Sequence, residues 1–346
     1  MEKAPLKVVV DAQIPYIGES LQNMVEEVLF LPGKEMTREV VQDADALLVR
    51  TRTQCNASLL TGSKVQFIGT ATIGYDHIDT KYCAEKGIKW QNCPGCNANS
   101  VAQYIQNALF LLQEKWQLDF TKETLGVIGV GEVGRRVATL GKALGVKVLC
   151  YDPLNQTENF EYVTLSTLQK EATIITCHTP LTYDGDYPTF HLVDEAFFQS
   201  LEHNVFFFNT SRGEVVDTAA IKDALCKGKV KDAVIDVWEN EPFLDTDLLE
   251  QVFLGTPHIA GYSADGKANA TRMVLEAFCR HFSLPTQFRI FPPELPEAIV
   301  EKPGIATYLA YYDPRKDSEA LKTTPSGFES QRNHYPLRRE KLICAL

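Results

Sequence analysis

An apolar run that breaks into three spaced glycines constrains this chain more than any other feature. Leu125-Gly126-Val127-Ile128 leads into Gly129-Val130-Gly131-Glu132-Val133-Gly134 and then into a helical pattern. The next apolar run, Lys147–Tyr151, is closed by Asp152, eighteen residues past Gly134. A glycine triplet alone is a weak signal; set between strand and helix, with an acid closing the next strand, it is specific. Gly129 permits a tight turn, Gly131 lets backbone approach a pyrophosphate, and Gly134 allows close helix–strand packing. The first helical residues, Glu132 and Val133, bring free N–H groups and a positive dipole end that suit phosphates. Asp152 is placed to accept hydrogen bonds from ribose hydroxyls. The bland alternative is a glycine turn in a βα unit without a ligand.

Around this motif, strand and helix alternate. Short apolar runs predict strands at 7–11, 46–50 and 67–71, with a further one at 88–91, and again at 125–130, 147–152, 173–177, 205–209, 232–237 and 255–259. Helices are predicted around 20–27, from 97 onward, and at 132–144, 166–171, 194–201, 217–228 and 266–282. Continuous runs such as Val205-Phe206-Phe207-Phe208 imply burial on both faces, as in a parallel sheet. The expected fold class is α/β: two doubly wound parallel-sheet (Rossmann-like) domains plus a small C-terminal α+β module. The helix at 266–282 is expected to cross back and complete the first domain. From Phe291 the chain changes character, with seven prolines from Pro292 to Pro336 and the basic residues Arg315, Lys316, Arg332, Arg338, Arg339 and Lys341.

Composition narrows the function classes. A net charge of −11 over 346 residues argues against nucleic acid as a partner. The charged start and the lack of a long apolar run argue against secretion and a membrane span. Nine scattered cysteines fit reduced thiols in a cytoplasm. Cys93-Pro94-Gly95-Cys96 has no second pair at zinc-finger spacing, so no metal site is expected.

Three motifs lie at or just past predicted strand ends: Asn209-Thr210-Ser211-Arg212-Gly213, Asp236-Val237-Trp238-Glu239-Asn240-Glu241-Pro242, and Thr256-Pro257-His258-Ile259-Ala260-Gly261-Tyr262. Ligands bind at the carboxyl ends of strands in such sheets. Arg, Glu and His gathered there suit hydroxyl oxidation. The His would take the hydroxyl proton, the Glu would hold its other ring nitrogen, and the Arg would bind a carboxylate and polarise the adjacent carbonyl. The bland reading of the three is surface charge or helix capping. His77 and His178, beside apolar segments, read as structural.

These motifs resemble those of the D-isomer-specific 2-hydroxyacid dehydrogenases, over essentially the whole chain. The resemblance runs through Val10-Asp11 with Pro15, Phe67–His77, Pro94–Ala98, His178-Thr179-Pro180-Leu181, His258–Tyr262 with Gly266-Lys267, and the Phe-Glu-x-x-Arg piece ending at Arg332. It implies a catalytic trio of Arg212, Glu241 and His258 and NAD as cofactor. It assigns Asp152, Thr179, Thr210, Ser211, Arg212, Asp236 and Gly261 to the cofactor, beside the glycine-motif residues Gly129, Gly131, Glu132, Val133 and Gly134. It assigns Thr51, Thr72 and Tyr262 to the substrate. The implied domains are a flavodoxin-like substrate domain (1–95 with 266–290), an NAD-binding domain (96–265) and a C-terminal dimerisation module (291–346). The branch most resembled acts on a small phosphorylated hydroxy acid, 4-phospho-D-erythronate, in a homodimer. Gln103 departs from the Glu that many relatives carry, and Thr51 from their Ser. A phosphoglycerate or simple 2-hydroxyacid dehydrogenase is the alternative enzyme, and an NAD-sensing corepressor the non-enzymatic one. A phosphate needs cations, so Arg50 and one or more of Arg315, Arg332 and Arg338 are expected to bind it.

Overall fold

The computed structural model describes residues 4–296 and 299–344. It divides into two compact units, residues 1–97 with 264–294 and residues 98–263 with 295–346.

The first unit is built on β1 (Ala4–Asp11), β2 (Val25–Leu31), β3 (Ala46–Val49), β4 (Phe67–Thr70) and β5 (Lys89–Gln91), with the short helices α1 (Gly18–Gln22), α2 (Arg38–Val41), α3 (Ala57–Leu60) and α4 (Thr80–Lys86) between them. The five strands pair in parallel in the order β2-β1-β3-β4-β5. This is a doubly wound sheet whose strand order reverses between β1 and β3, so the loops after these strands flank its ligand crevice. Arg50 and Thr51 stand directly after β3.

The expected helix around 20–27 is corrected here. Helix α1 stops at Gln22, and Val25–Leu31 pairs along β1 as an edge strand, with Lys7 and Glu27 ion-paired across it at 2.9 Å. The density of branched and aromatic side chains in Val28-Leu29-Phe30-Leu31 favours a pleated surface. Val28 and Phe30 pack on one core cluster and Leu29 and Leu31 on another, the two-residue alternation of a strand.

The second unit opens with α5 (Ala98–Trp116) and continues through β6 (Thr124–Ile128), α6 (Glu132–Ala143), β7 (Lys147–Tyr151), α7 (Leu165–Glu171), β8 (Ile174–Cys177), α8 (Glu195–Gln199), β9 (Val205–Asn209), α9 (Thr218–Cys226), β10 (Val230–Ile235), α10 (Thr246–Gln251) and β11 (Leu254–Gly255). All six strands are parallel, in the order β11-β10-β9-β8-β6-β7. The order reverses at β6, placing the glycine turn at the switch point. The strand expected at 255–259 ends at Gly255. Pro257 lacks a ladder donor, and His258 has a left-handed φ of 55°, so the chain leaves the sheet as a loop.

Helix α11 (Ala264–His281) returns to the first unit and packs Ala268, Val274, Leu275 and Phe278 into that unit's core. The tail folds as α12 (Ile305–Tyr311), α13 (Pro314–Thr323) and α14 (Phe328–Asn333). The expected α+β module is therefore corrected: among the described residues the tail contributes helices and no strand. Asp313 caps α13 through the Arg315 N–H with Pro314 in the first turn, a helix start signal. Nor do the described residues of the tail form a core of their own. Tyr312, Leu321 and Phe328 are buried in the clusters of the second unit, each worth on the order of 1.5–3 kcal/mol.

Candidate active site

At the glycine turn the three glycines do different work. Gly129 has φ of 85°, and a Cβ there would meet the backbone of His178 and Thr179 at 2.9 Å. A Cβ on Gly134 would overlap the Gly129 carbonyl oxygen. A Cβ on Gly131 would meet nothing within 4 Å, so nothing within the protein demands glycine there. Gly131 is the N-cap of α6 and offers no side-chain cap, leaving the first-turn N–H groups without that partner. Glu132 and Val133 form this first turn, with the Glu132 carboxylate engaged by Arg135 and Arg136.

Asp152 is buried just past the end of β7. Its Oδ2 accepts from the Val130 N–H at 2.9 Å, and its Oδ1 from the N–H groups of Leu154 and Asn155 at 3.0 and 2.8 Å. It therefore braces the glycine turn. A carboxylate has about four lone-pair sites, which leaves capacity for a further donor. Beside the turn, the Thr179 hydroxyl is buried without a hydrogen-bond partner. The Thr210 hydroxyl lies 3.4 Å from Nδ1 of His178, and Ser211 donates through both N–H and hydroxyl to Asn209 Oδ1. Burial holds His178 neutral, with its pKa lowered to about 3. His77 shares Thr70 with Thr72, and burial lowers its pKa too.

The trio residues all lie in the second unit. Arg212 is exposed, with Nη1 donating to the Ser211 carbonyl at 2.7 Å. A Cβ on Gly213 would overlap the backbone of Trp238, so the Arg212 loop sits directly on the segment that carries Glu241. Glu241 Oε1 accepts from the Trp238 N–H at 2.9 Å, and Oε2 accepts from Nδ1 of His258 at 2.8 Å. Burial pushes the Glu241 carboxyl up. The hydrogen bond and charge of His258, the Trp238 N–H and the Arg332 charge outweigh it and hold its pKa below the ordinary value.

The His258 loop is held from both sides. Asp236, buried after β10, accepts at its backbone carbonyl from the His258 N–H at 2.7 Å. Its carboxylate accepts from the N–H groups of Ile259 and Ala260 and from the Thr256 hydroxyl, at 2.8, 2.9 and 2.6 Å. Tyr104 on α5 reaches Thr256 at 2.7 Å. From the tail, Arg338 donates to the carbonyls of Ile259 and Ala260 at 3.3 and 3.2 Å, to Ser100 at 2.6 Å and to Gln103 Oε1 at 2.8 Å. This framework carries the left-handed His258, a conformation costing roughly 1–3 kcal/mol. Gly261 and Tyr262 follow directly, half-buried.

Two expectations change. Arg338 is 3% exposed and committed to four internal acceptors, so it is no phosphate ligand. Arg315 is spent on Asp313, at 2.6 and 2.9 Å. Sequence reasoning also missed the bracing roles of Tyr104 and Thr256, for which no local motif exists. In the first unit, Thr51 is exposed, the Thr72 hydroxyl donates to the Gly74 carbonyl at 2.8 Å, and Arg50 donates to Gln13 at 3.2 Å. Burial, then the positive charge of Arg50, lowers the pKa of Lys267 on α11, so these two cations are neighbours there. Among the described residues there is no group of three or more His, Cys, Asp or Glu fit to hold a metal ion. No helix among them is long and apolar enough to cross a membrane.

A parallel switch-point sheet with a glycine turn, an acid after the second strand, and a Glu–His pair beside an exposed Arg defines an NAD-dependent dehydrogenase. The chain belongs to the D-isomer-specific 2-hydroxyacid dehydrogenase family, whose NAD-binding-domain model matches residues 98–260. It is 54% identical over 342 residues to the erythronate-4-phosphate dehydrogenase of Bacteroides fragilis, covering 97% of both chains. It is 39% identical over 358 residues to the protein of that name from Proteus mirabilis, covering 98% of this chain and 95% of the relative. Among solved structures it is similar to D-lactate dehydrogenase from Aquifex aeolicus with NAD and lactic acid (27% identity, TM-score 0.62, covering 80% of this chain and 96% of the other). It is also similar to NAD-bound 3-phosphoglycerate dehydrogenase of Entamoeba histolytica (27%, TM-score 0.65, 83% and 99%). The residues present fit NAD. The open face at Gly131, the first turn of α6 without a side-chain cap and the unpartnered Thr179 hydroxyl are groups a dinucleotide satisfies.

Proposed function

We propose that the chain catalyses the NAD-dependent oxidation of 4-phospho-D-erythronate at its 2-hydroxyl. The product is (R)-3-hydroxy-2-oxo-4-phosphooxybutanoate, on the route to pyridoxine 5′-phosphate (vitamin B6). The observation that carries the chemistry is the 2.8 Å hydrogen bond between Glu241 and His258. The substrate is supported by the near-full-length relatives.

Because Nδ1 of His258 donates to Glu241, the proton on that nitrogen is fixed and Nε2 presents its lone pair. That nitrogen takes the proton of the 2-hydroxyl as the C2–O bond becomes a carbonyl. Glu241 remains ionised and stabilises the imidazolium that results. Arg212 holds the substrate carboxylate with its planar fork. NAD, when bound, supplies the acceptor for the hydride leaving C2. Gly129, Gly131, Glu132, Val133, Gly134, Asp152, Thr179, Thr210, Ser211, Asp236 and Gly261 are its proposed contacts. Thr51, Thr72, Arg50 and Tyr262 are proposed for the substrate. A cytoplasmic homodimer is part of the same reading; light scattering giving the mass of one chain would contradict the dimer.

The test is a panel of 4-phosphoerythronate, 3-phosphoglycerate, glycerate and lactate, each with NAD and with NADP. The highest kcat/KM is expected for 4-phosphoerythronate with NAD. Preference for 3-phosphoglycerate or lactate would move the chain to another branch, and turnover of none would favour a binding role.

A further inference from the structure

The tail brings a cation into the neighbourhood of Glu241 and Tyr262. Arg332 lies in the last turn of α14, within the Phe-Glu-x-x-Arg piece singled out in the sequence. Its guanidinium carbon is 5.5 Å from the ring centre of Phe328 and 6.0 Å from that of Tyr262. Its charge is felt at Glu241. Its ionic contact with Glu329 is a long one, at 3.3 Å. Its Nε is buried and makes no hydrogen bond. Buried donors in native proteins are nearly always paired, so an unpaired guanidinium N–H over the Tyr262 ring calls for a partner. Arg315 and Arg338 are already spent, on Asp313 and on the His258 loop.

From this geometry we infer that Arg332 is the tail's ligand for the phosphate of the substrate and sets the preference for phosphorylated over unphosphorylated hydroxy acids. The inference rests on the function proposed above. A guanidinium presents its donors in a plane that matches phosphate oxygens. Tyr262, under the same guanidinium, is a proposed substrate contact. A dianionic ligand entering a protein of net charge −11 needs such a local cation.

The test uses the full chain and two variants, Arg332→Gln and Arg332→Lys, with NAD binding and the thermal midpoint as checks of folding. The first readout is kcat/KM for 4-phosphoerythronate divided by that for erythronate. This ratio is expected to fall at least tenfold in Arg332→Gln, mainly through KM, and less in Arg332→Lys. Equal losses on both substrates, or no loss, would overturn the assignment. The second readout is binding of inorganic phosphate by calorimetry, which needs no turnover. It is expected to weaken at least tenfold in Arg332→Gln, and unchanged binding would overturn the assignment. The two failures are distinguishable. If the wild type does not oxidise 4-phosphoerythronate, the proposed function fails, and the phosphate titration still decides on Arg332.

Discussion

The guanidinium of Arg338 donates to the carbonyl of Ala260 at 3.2 Å, two residues past His258. It lies 3.7 Å over the Tyr312 ring, and Gln103 accepts its Nε. The side chain is buried, so its removal strands several acceptors at once. Arg338→Met is expected to destabilise the protein by about 3 kcal/mol or more, read by urea unfolding. The surviving folded enzyme is expected to lose kcat with little change in NAD affinity. A variant as stable and active as wild type would show that the loop is held without it.

The glycine turn predicts two unlike outcomes. Gly131→Ala places its methyl where no protein atom lies within 4 Å, so stability is expected to stay within about 1 kcal/mol of wild type while NAD affinity falls. Gly134→Ala drives its methyl into the Gly129 carbonyl and is expected to lower the unfolding midpoint. Paired melting and NAD titration separate the two. Full NAD affinity in a folded Gly131→Ala would remove the cofactor from this turn.

Asp152 is expected to set cofactor choice through charge. A carboxylate here repels a 2′-phosphate, so NAD is expected to be strongly preferred over NADP. Because Asp152 also holds the Val130 N–H, Asp152→Ala is expected both to narrow that preference and to raise KM for NAD. Losing one charge-assisted bond implies about ten- to a hundredfold. Equal efficiency of wild type with both cofactors would contradict this role.

Acid sensitivity is expected from His178. Its folded pKa, about 3 through burial, lies below the value near 6.5 of an unfolded histidine. Between these values the unfolded chain binds the extra proton. Its contribution to stability is therefore complete above about pH 6.5 and declines as pH falls, at up to about 1.4 kcal/mol per unit. His178→Gln is expected to flatten the pH dependence of unfolding between about pH 6 and 4. An unchanged slope would contradict a neutral buried imidazole.

What was legible in the sequence was what is local. The glycine spacing, the acid after β7 and the continuous apolar strands each act over a few residues, and the sheet of the second unit followed from them. At β2 the helix expectation fails because Glu26 and Glu27 interrupt the alternation, leaving Val28 to Leu31 as a short apolar run partly buried on both faces, which a short window cannot separate from a helix. The segment after Gly255 looked like strand because Ile259 and Ala260 are buried. They are buried as a loop tied to Asp236 and Arg338. That tie joins residues 78 and 79 positions apart, and no local pattern encodes it. Gln103 appeared as an unexplained departure; in the fold its Oε1 receives Arg338 and its Nε2 donates to the Arg339 carbonyl at 3.0 Å. The tail's helices were expected as part of an α+β module but not placed, because its prolines read as interruptions, although Pro314 begins a helix.

The most direct test of the proposed chemistry is single-turnover hydride transfer from 4-phosphoerythronate to NAD by His258→Gln, on protein shown to bind NAD as wild type does. Removing a general base is expected to slow this step by about two to four orders of magnitude. A rate near that of wild type would mean that His258 does not take the proton, and that the Glu241–His258 pair is not the catalytic centre.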